Sequence, residues 1–391
     1  MTAEEIRKTL QREFVRTIRK PFMDAVKEYD MVRPGDRVAV CISGGKDSML
    51  LGLLLRDLQH TVDFELKFLA MDPGYAPEGR RHLEENARKL DIPLEIFDTD
   101  VLRVAGSHSA EHPCFLCAKM RRGYLYAEAK KRGCKVMMYG CGIGPIHSPA
   151  NRRRASRVLQ RSVDAITLRD THSAEELEDM GVTKPQVILS ADPTVILPAA
   201  PAQVVDGILE SQGIAPHGRY IGFALRPWPG FEAKAAVFGA AADYAYETYG
   251  LTPVFLPIER RLDVGAAQLA AQHMKAPHYI LPQTGRSDHT IGLFARMQAV
   301  VSMRLHALVF SAGQGVPLVG VVYDQKISSF LSYIGQDLYT GLDEVTEEAL
   351  RAHIDAACAR IGDEAFLSGG VERLRQVERR NSETARMLLE R

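Results

Sequence analysis

One stretch near the start of the chain decides the fold, and it reads Val38-Ala39-Val40-Cys41-Ile42-Ser43-Gly44-Gly45-Lys46-Asp47-Ser48. The small apolar residues predict a buried strand, and the apolar run at 49–55 predicts a helix directly behind the loop. Glycines allow the backbone to close around an anion, and a helix N-terminus directs free N–H groups towards it. Because Lys46 and the two serine hydroxyls add donors, the loop is predicted to be a phosphate cradle. Its spacing differs from the Walker pattern, which places four residues between the first glycine and the Gly-Lys pair.

The alternation of strand and helix continues beyond this loop. Strands are predicted at 36–43, 64–71 and 94–97, with helices at 48–59 and 79–90 between them. This alternation is typical of a parallel, doubly wound α/β sheet. Ligands of such sheets bind at the carboxyl ends of the strands, where both the Ser43–Ser48 loop and Asp72 fall.

The same pattern restarts in the second half of the chain. Pro198-Ala199-Ala200-Pro201 and the glycines at 213–218 suggest a domain boundary. Strands are then predicted at 220–225, 254–256, 279–281, 299–302 and 318–323. We therefore expect two Rossmann-like lobes with parallel doubly wound sheets, in the arrangement of GT-B glycosyltransferases. An amphipathic basic helix is predicted at 6–22, and a capping box at 173–176 is predicted to open a short helix.

The composition excludes several classes of protein. Lys+Arg and Asp+Glu each number 49 in 391 residues, so no global field attracts nucleic acid. No apolar run is long enough to span a bilayer, and the first residues do not resemble a secretory signal. The 6 cysteines are scattered apart from Cys114 and Cys117, which does not suggest a disulfide framework. A cytoplasmic protein is expected.

The hexapeptide Ser43-Gly44-Gly45-Lys46-Asp47-Ser48 resembles the PP-loop of ATP pyrophosphatases. Further pieces of residues 1–135 look like the tRNA 2-thiocytidine synthase family, namely Met71-Asp72-Pro73-Gly74-Tyr75, Glu84-Glu85-Asn86-Ala87 and Pro113-Cys114-Phe115-Leu116-Cys117. The resemblance implies that Ser43–Ser48 and Asp72 bind ATP with magnesium, and that tRNA is the partner. It also implies that Cys114 and Cys117 hold an iron–sulfur cluster with a third cysteine. The family's His-His-x-Asp-Asp motif has no counterpart in this sequence, and a cluster with two thiolates is not expected to form.

Residues 136–391 are similar to a different family, the polysaccharide pyruvyl transferases. Six pieces carry the similarity in chain order: Gly142-Ile143-Gly144-Pro145-Ile146, Asp164-Ala165-Ile166-Thr167-Leu168-Arg169-Asp170, Ala191-Asp192-Pro193, Phe223-Ala224-Leu225-Arg226-Pro227-Trp228, Met303-Arg304-Leu305-His306-Ala307-Leu308 and Tyr323-Asp324-Gln325-Lys326. The resemblance implies transfer of an enolpyruvyl-derived ketal from phosphoenolpyruvate to a cell-wall polysaccharide or a lipid-linked sugar.

In this second resemblance, Arg226 and Arg304 are the donor-binding residues and His306 is the acid/base. Guanidinium groups suit the phosphate and carboxylate of phosphoenolpyruvate because they can bind each oxyanion with two hydrogen bonds. A structural ion pair explains Arg169 and Asp170 equally well. The arginines at 152–154, with Arg157 and Arg161, are interpreted as a solvated helix face.

The primary hypothesis is a pyruvyl transferase-type enzyme fused to a PP-loop segment. The segments expected are a partial PP-loop ATP-binding segment at 1–135, the remainder of the first lobe at 136–200 and a donor-binding lobe at 201–391. The alternative is an adenylating, sulfur-transferring protein that acts on tRNA. A third hypothesis, of a non-enzyme, is that the fusion has spoiled both sites and leaves a protein that only binds nucleotide.

Overall fold

A helical segment precedes the first sheet in the computed structural model, which describes residues 3–28, 30–108, 113–282 and 286–389. Some side chains inside these ranges, among them those of 113–119 and 364–371, also lie outside the description. The segment comprises α1 (Ala3–Arg12), a π-helical turn (Val15–Arg19) and α2 (Lys20–Glu28). The continuous helix predicted at 6–22 is wrong, because the backbone leaves helical geometry at Phe14 (φ −104°, ψ 17°).

The first sheet carries the quoted stretch. It contains β1 (Arg37–Cys41), β2 (Glu65–Asp72) and β3 (Leu94–Asp98), which are parallel and adjacent in that order. Helices α3 (Lys46–Leu58) and α4 (Pro77–Lys89) connect the strands, and α5 (Val101–His108) and α6 (Pro113–Lys131) follow. The predicted alternation is confirmed here, since α3 begins immediately after the Ser-Gly-Gly turn and buries most of its leucines.

A second sheet completes the first lobe. It contains β4 (Met137–Cys141), β5 (Ala165–Leu168) and β6 (Gln186–Leu189), again parallel and in chain order. Helices α7 (Pro149–Ser162) and α8 (Thr171–Asp179) connect these strands, and a 3-10 turn (Pro193–Ile196) follows β6. The described strands of the first lobe thus form two three-stranded sheets.

The capping box predicted at 173–176 is wrong. Helix α8 begins two residues earlier, and Asp170 caps it by accepting a hydrogen bond from the N–H of Ser173 at 2.8 Å. The hydroxyl of Ser173 instead accepts from the N–H of Ile143 at 2.8 Å, and the carboxylate of Glu176 accepts from the N–H of Ile146. Both side chains therefore hold the loop that follows β4.

The second lobe is built on one six-stranded parallel sheet. Its strands are β7 (Tyr220–Ala224), β8 (Thr252–Phe255), β9 (Tyr279–Ile280), β10 (Ala299–Ser302), β11 (Leu318–Val322) and β12 (Tyr339–Gly341). Their spatial order is β12-β11-β10-β7-β8-β9. The chain moves outward from β7 in one direction and then restarts at β10 on the other side of β7. This reversal is a topological switch point, the usual ligand position in doubly wound sheets.

Helices cover both faces of this sheet. They are α9 (Ala202–Ser211), α10 (Phe231–Tyr249), α11 (Arg260–Ala271), α12 (Ser287–Ala295), α13 (Leu305–Gly313), α14 (Gln325–Tyr333) and α15 (Glu347–Cys358). One buried cluster lies on each face, so the central strands are apolar on both sides. The predicted fold class, with parallel Rossmann-like lobes, is confirmed.

The last helix, α16 (Glu364–Leu389), returns from the second lobe to the first. The amide of Asn381 donates to the carbonyl of Ala191 at 3.0 Å, and Arg380 donates to the carbonyl of Leu189 at 3.0 Å. The hydroxyl of Tyr333, on α14, donates to the carbonyl of Ser190 at 2.6 Å. These bonds place the carboxyl end of β6 against the second lobe.

None of the helices in the described part of the chain is both long and apolar enough to cross a membrane.

Candidate active site at the switch point

The two arginines predicted to bind the donor and the histidine predicted to be the acid/base lie at the switch point of the second sheet. Arg226 follows β7 by two residues, and Arg304 follows β10 by two residues. These two strands are neighbours, paired from Ala299 and Ile221 onward. Because their carboxyl ends meet at one edge, both arginines start from the same part of the sheet, and His306 occupies the first turn of α13 beside them.

Arg226 is held between two aromatic side chains. Its Nη1 donates to the hydroxyl of Tyr323 at 2.6 Å. Its Cζ lies 5.0 Å from the ring centre of Trp228 and 5.1 Å from that of Tyr323, within range of cation–π attraction. The Nε of Arg226 is buried and has no hydrogen-bond partner among the described residues. A buried N–H donor without an acceptor is costly, so this atom marks a place where a ligand oxygen would be stabilised.

Arg304 is fixed from behind by Asp263, which is buried at 1% exposure. The Nε of Arg304 lies 3.1 and 3.0 Å from the two carboxylate oxygens, and its Nη2 also contacts Asp263. The same carboxylate accepts from the backbone N–H groups of Ile258 and Glu259 at 3.0 and 2.8 Å. The carboxylate of Glu259 also lies 3.7 Å from Nη2. Asp263 thus sets the direction of the guanidinium in advance, and Nη1 is the group that Arg304 can offer to a ligand.

His306 stands between charges from both lobes. Part of the His306 side chain is exposed to solvent. The protein packed around the ring still reduces the hydration of its charged form, and this desolvation lowers the pKa of His306 below the ordinary value. Asp192 of the first lobe opposes this shift in pKa, whereas Arg169, Lys326 and Arg304 add to it. At neutral pH the imidazole is thus held in its neutral form, in which one ring nitrogen can accept a proton.

The first lobe contributes a second arginine centre. Arg169 follows β5, and its Nη1 donates to the carboxylate of Asp192 at 2.9 Å. The Nε of Arg169 is buried without a hydrogen-bond partner among the described residues. A Cβ on Gly142 would lie 3.0 Å from both Nε and Nη2 of Arg169, so a larger residue there would require the guanidinium to shift. The ion pair considered at the sequence level is real, but Asp192 is its nearer partner and Asp170 lies 4.0 Å away.

The PP-loop has the shape of a phosphate cradle. Gly44 adopts φ +87°, a conformation that favours glycine, and its Cβ would meet Leu83 at 3.4 Å. The hydroxyl of Ser48 accepts from the N–H of Ser43 and donates to the carbonyl of Gly45. Lys46 points outward with 94% of its side chain exposed and Asp47 91% exposed. The loop therefore closes on itself, with Lys46 and Asp47 paired at 3.7 Å on its exposed side, and the N-terminus of α3 faces the position where an anion would bind.

Asp72, also predicted at the nucleotide site, is engaged in local structure. One oxygen accepts from the N–H groups of Gly74 and Tyr75, each at 2.8 Å, and the other pairs with Arg80 at 3.0 Å. Burial raises the pKa of Asp72, but these three donors outweigh it and hold the pKa below the ordinary value. Asp72 is a permanent carboxylate that shapes the turn after β2.

The side chains of the cysteine pair are not among those that the structure describes. Cys114 and Cys117 belong to the first turns of α6, and their side chains lie outside the described residues. Of the other thiols, burial raises the pKa of Cys141 to about 11, which keeps it protonated. Within the described part of the chain, no three His, Cys, Asp or Glu side chains are grouped to hold a metal ion. The iron–sulfur site is thus implied by the first resemblance alone.

Sequence reasoning missed three residues that shape the site. Asp263 stands in an ordinary charged helix start, where no motif marks it. Trp228 and Tyr323 stand in the quoted motifs, but the motifs alone do not indicate their contact with Arg226. The one signal in the sequence is that Trp228, the single tryptophan of the chain, follows Arg226 by two residues.

The chain has two lobes with parallel sheets, joined by a returning C-terminal helix, and charged groups lie at the facing strand ends. This is the two-lobed α/β fold that GT-B glycosyltransferases also have. Solved structures support the fold alone. The UDP-GlcNAc 2-epimerase of Neisseria meningitidis matches with a TM-score of 0.51 and 11% identity, covering 91% of this chain and 100% of that one. Anabaena HepE in complex with UDP-glucose matches with a TM-score of 0.51 and 11% identity, covering 90% and 99%.

Within that class, the sequence profile of the polysaccharide pyruvyl transferase family matches residues 53–325. The chain belongs to this family. The match begins inside the segment predicted to be a PP-loop segment and ends at Gln325, beyond Arg304 and His306. The second resemblance predicted from the sequence is thereby confirmed.

The first resemblance is confirmed by similarity to curated proteins. The tRNA-cytidine(32) 2-sulfurtransferase of Neisseria meningitidis serogroup C is 37% identical over 126 residues, which is 30% of this chain and 38% of that protein. The enzyme of the same name from Cytophaga hutchinsonii is 30% identical over 129 residues, or 32% and 45%. The chain spans less than half the length of these relatives. It therefore combines pieces of two families.

Proposed function

We propose that the chain is a pyruvyl transferase that binds phosphoenolpyruvate at the switch point of its second lobe. The observation that supports this is the meeting of Arg226, Arg304 and His306 at the carboxyl ends of β7 and β10. Arg226 offers a buried Nε without a protein partner, and Arg304 offers Nη1 of a guanidinium held by Asp263. The donor has a phosphate and a carboxylate, so two fixed guanidinium groups match its two oxyanions.

The residues of the chain suit the steps that such a transfer requires. One acceptor hydroxyl adds to C2 of the enol while C3 gains a proton, and the second hydroxyl then replaces phosphate at C2. Two hydroxyl protons are released, one proton is taken up at C3 and the other leaves with phosphate. His306, neutral at pH 7, would accept the proton of the attacking hydroxyl and could pass it on. The two arginines would neutralise the charge that grows on the departing phosphate.

The pH dependence of kcat/KM should follow the protonation of His306. Because burial of the ring lowers the pKa of His306 below its ordinary value, the imidazole is mostly neutral at pH 7 and is protonated only as the pH falls further. We expect kcat/KM to fall on the acidic side, at a lower pH than an unperturbed imidazole would give. The profile is measured with phosphoenolpyruvate saturating and limiting in turn. In the residual activity of His306→Gln this acidic limb should disappear; a limb that persists unchanged would assign it to another group.

The proposal is tested by turnover. The chain is incubated with phosphoenolpyruvate and an N-acetylmannosamine-type acceptor, and inorganic phosphate is measured. Phosphate release that depends on the acceptor supports the proposal. Acceptors carried on a cell-wall polysaccharide and on a lipid diphosphate are compared, because both are proposed substrates. A cytoplasmic site of action belongs to the same proposal, since phosphoenolpyruvate is a metabolite of that compartment.

A second function is proposed for the PP-loop, on the strength of its geometry. Ser43, Gly44, Gly45, Lys46 and Ser48 would hold the phosphates of ATP, with magnesium bound alongside the nucleotide. The cradle fits such a group, because Gly44 has a left-handed backbone and the loop's hydroxyls bond within the loop. Bound ATP would supply adenylation chemistry. tRNA is the partner proposed for this site by analogy with the relatives, and a nucleotide-binding remnant is the non-enzymatic form of the same proposal.

Lys46→Ala tests the cradle. Lys46 is almost fully exposed, so its removal should leave folding unchanged. Losing one charged donor to a phosphate should weaken ATP binding about tenfold or more. Binding is followed by calorimetry with ATP and magnesium. Lys89→Ala, an exposed lysine at the end of α4, is the matched control and should bind ATP as the parent does; equal affinities for all three proteins would refute the cradle.

A further inference from the structure

We infer that a row of arginines on α7 binds an acidic polysaccharide strand next to the proposed active site. The row consists of Arg153, Arg157 and Arg161, with Arg152 beside it, and is called the α7 arginine face below. These four side chains line an open cavity of about 570 Å³ together with Pro149, Ser156, Gln160, Asp179 and Met180. Members of the row follow one another at four-residue intervals, so their Cα atoms are about 6 Å apart along the helix.

The charges of this face are not compensated by the described protein. Arg153, Arg157 and Arg161 have no ion-pair or hydrogen-bond partner among the described residues, whereas Arg152 pairs with Glu176 and lies 3.9 Å from Asp179. The whole chain has a formal net charge of zero. Three free guanidinium groups along one cavity are therefore a local excess of positive charge, and such an excess attracts anions.

The face begins next to the candidate active site. Nη1 of Arg152 lies 3.4 Å from the carbonyl oxygen of Ile146, in the loop that follows β4. Gly142 in the same loop packs against the guanidinium of Arg169, whose charge reaches His306. A polymer held along α7 would thus run past this loop towards the facing strand ends of the two lobes.

The chemistry of the proposed reaction names the ligand, and to that extent the inference rests on the proposed function. Each transfer forms a ketal at C2 of the donor, releases phosphate and leaves the donor's carboxylate on the sugar. A polysaccharide that has been modified at several repeats carries a row of carboxylates. Guanidinium groups bind carboxylates with two parallel hydrogen bonds. The α7 arginine face is suited to hold the modified part of the strand while the next repeat is in the cleft.

The composition of the face argues against a membrane surface as its ligand. A helix that lies on a bilayer needs a wide apolar side next to its basic side. The large apolar side chain that α7 exposes is Val158, at 38%, while Leu159 is buried against the sheet. The exposed side is charged over its length, as expected for a polar, multiply charged polymer.

Binding is tested on the full chain with polygalacturonate, which has one carboxylate per sugar, and with its methyl ester as the uncharged match. We expect polygalacturonate to bind, the ester to bind at least tenfold more weakly, and affinity to fall as salt rises from 50 to 300 mM. Arg153→Ala/Arg157→Ala/Arg161→Ala should weaken binding about tenfold or more. The control removes the same charge from α1 and the π-helical turn, as Arg7→Ala/Arg12→Ala/Arg16→Ala, and should bind as the parent does.

Equal losses in the two triple variants, or binding of the ester as tight as that of the acid, would overturn the inference. Arginine-dependent binding of tRNA that is tighter than that of polygalacturonate would overturn it too, and would assign the face to RNA. The assay needs no phosphoenolpyruvate and no turnover. Arginine-dependent binding without transferase activity would therefore contradict the proposed function alone, and turnover without arginine-dependent binding would contradict this inference alone.

Discussion

Replacing Arg226 by alanine is expected to weaken phosphoenolpyruvate binding about 100-fold. The guanidinium is positioned by Trp228 and Tyr323, and its buried Nε has no acceptor among the described residues. A charged hydrogen-bond pair to an oxyanion is worth about 1.5–3 kcal/mol, which corresponds to roughly 10- to 150-fold in affinity. Trp228, the sole tryptophan, is 39% exposed and lies on Arg226, so its fluorescence reports donor binding directly.

Two further variants sharpen this prediction. Tyr323→Phe removes the hydroxyl that Nη1 contacts but keeps an aromatic ring under the guanidinium, so it should weaken binding less than threefold. Arg226→Lys keeps the positive charge but loses the paired N–H donors of the guanidinium. Its affinity for phosphoenolpyruvate should therefore fall between those of the parent and the alanine variant. Calorimetry gives the same affinities without relying on Trp228. Unchanged binding by the alanine variant would remove Arg226 from the donor site.

Replacing Asp263 by alanine is expected to destabilise the second lobe by about 3–5 kcal/mol. Asp263 is 1% exposed and pairs with Arg304 through both oxygens. Its removal leaves a largely buried guanidinium with only the more distant and exposed carboxylate of Glu259, 3.7 Å from Nη2. It also leaves the N–H groups of Ile258 and Glu259 without this acceptor. The free energy of unfolding is measured by urea denaturation followed by circular dichroism. Activity should fall as well, because Arg304 loses the contact that sets its direction.

The matched control is Asp288→Asn. Asp288 forms an equally close pair with Arg286, at 3.0 and 2.7 Å, but this pair lies at the surface, where ion pairs contribute about 0–1 kcal/mol. The variant should therefore unfold within about 1 kcal/mol of the parent. A cost for Asp263→Ala that is no larger than that of the control would show that Arg304 does not depend on its buried partner.

Much of the fold follows from the sequence because its signals are local. The apolar strand before Ser43 and the leucine-rich helix after Ser48 need no distant residue to be recognised, and both lie as predicted. Arg226 and Arg304 also follow strands, so the rule for parallel sheets brings them to one edge once β7 and β10 are neighbours. The order of the six strands, however, depends on packing between segments about 80 residues apart.

Other features of the site could not be predicted because they depend on contacts between distant parts of the chain. Asp263 stands 41 residues before Arg304, and no periodicity links the two. The position of Asp72 after a strand predicts a place at the nucleotide site, and only the structure shows that its local turn and Arg80 engage both oxygens. The sequence likewise predicts a solvated face for the arginines of α7. Only the structure shows that they line a cavity beside the loop that contacts Arg169.

The chain thus has an anion-binding geometry in each lobe. The hydroxyls of the PP-loop in the first lobe bond to other atoms of the loop, whereas Arg226, Arg304 and His306 belong to the second lobe. The pyruvyl transferase family match covers the second group and the strands that carry it. The donor site is accordingly the main proposal, and the ATP-binding function proposed for the PP-loop is separate from it.

The most direct test of that claim is the reaction itself. Phosphoenolpyruvate labelled with ¹³C at C2 is incubated with a sugar acceptor, and phosphate and the ¹³C ketal are measured together by NMR. We predict that the parent chain forms phosphate and ketal in equal amounts, and that the His306→Ala/Arg304→Ala double variant forms neither. Turnover retained by the double variant, or no ketal from a folded parent chain that binds phosphoenolpyruvate, would contradict the proposed pyruvyl transfer at this site.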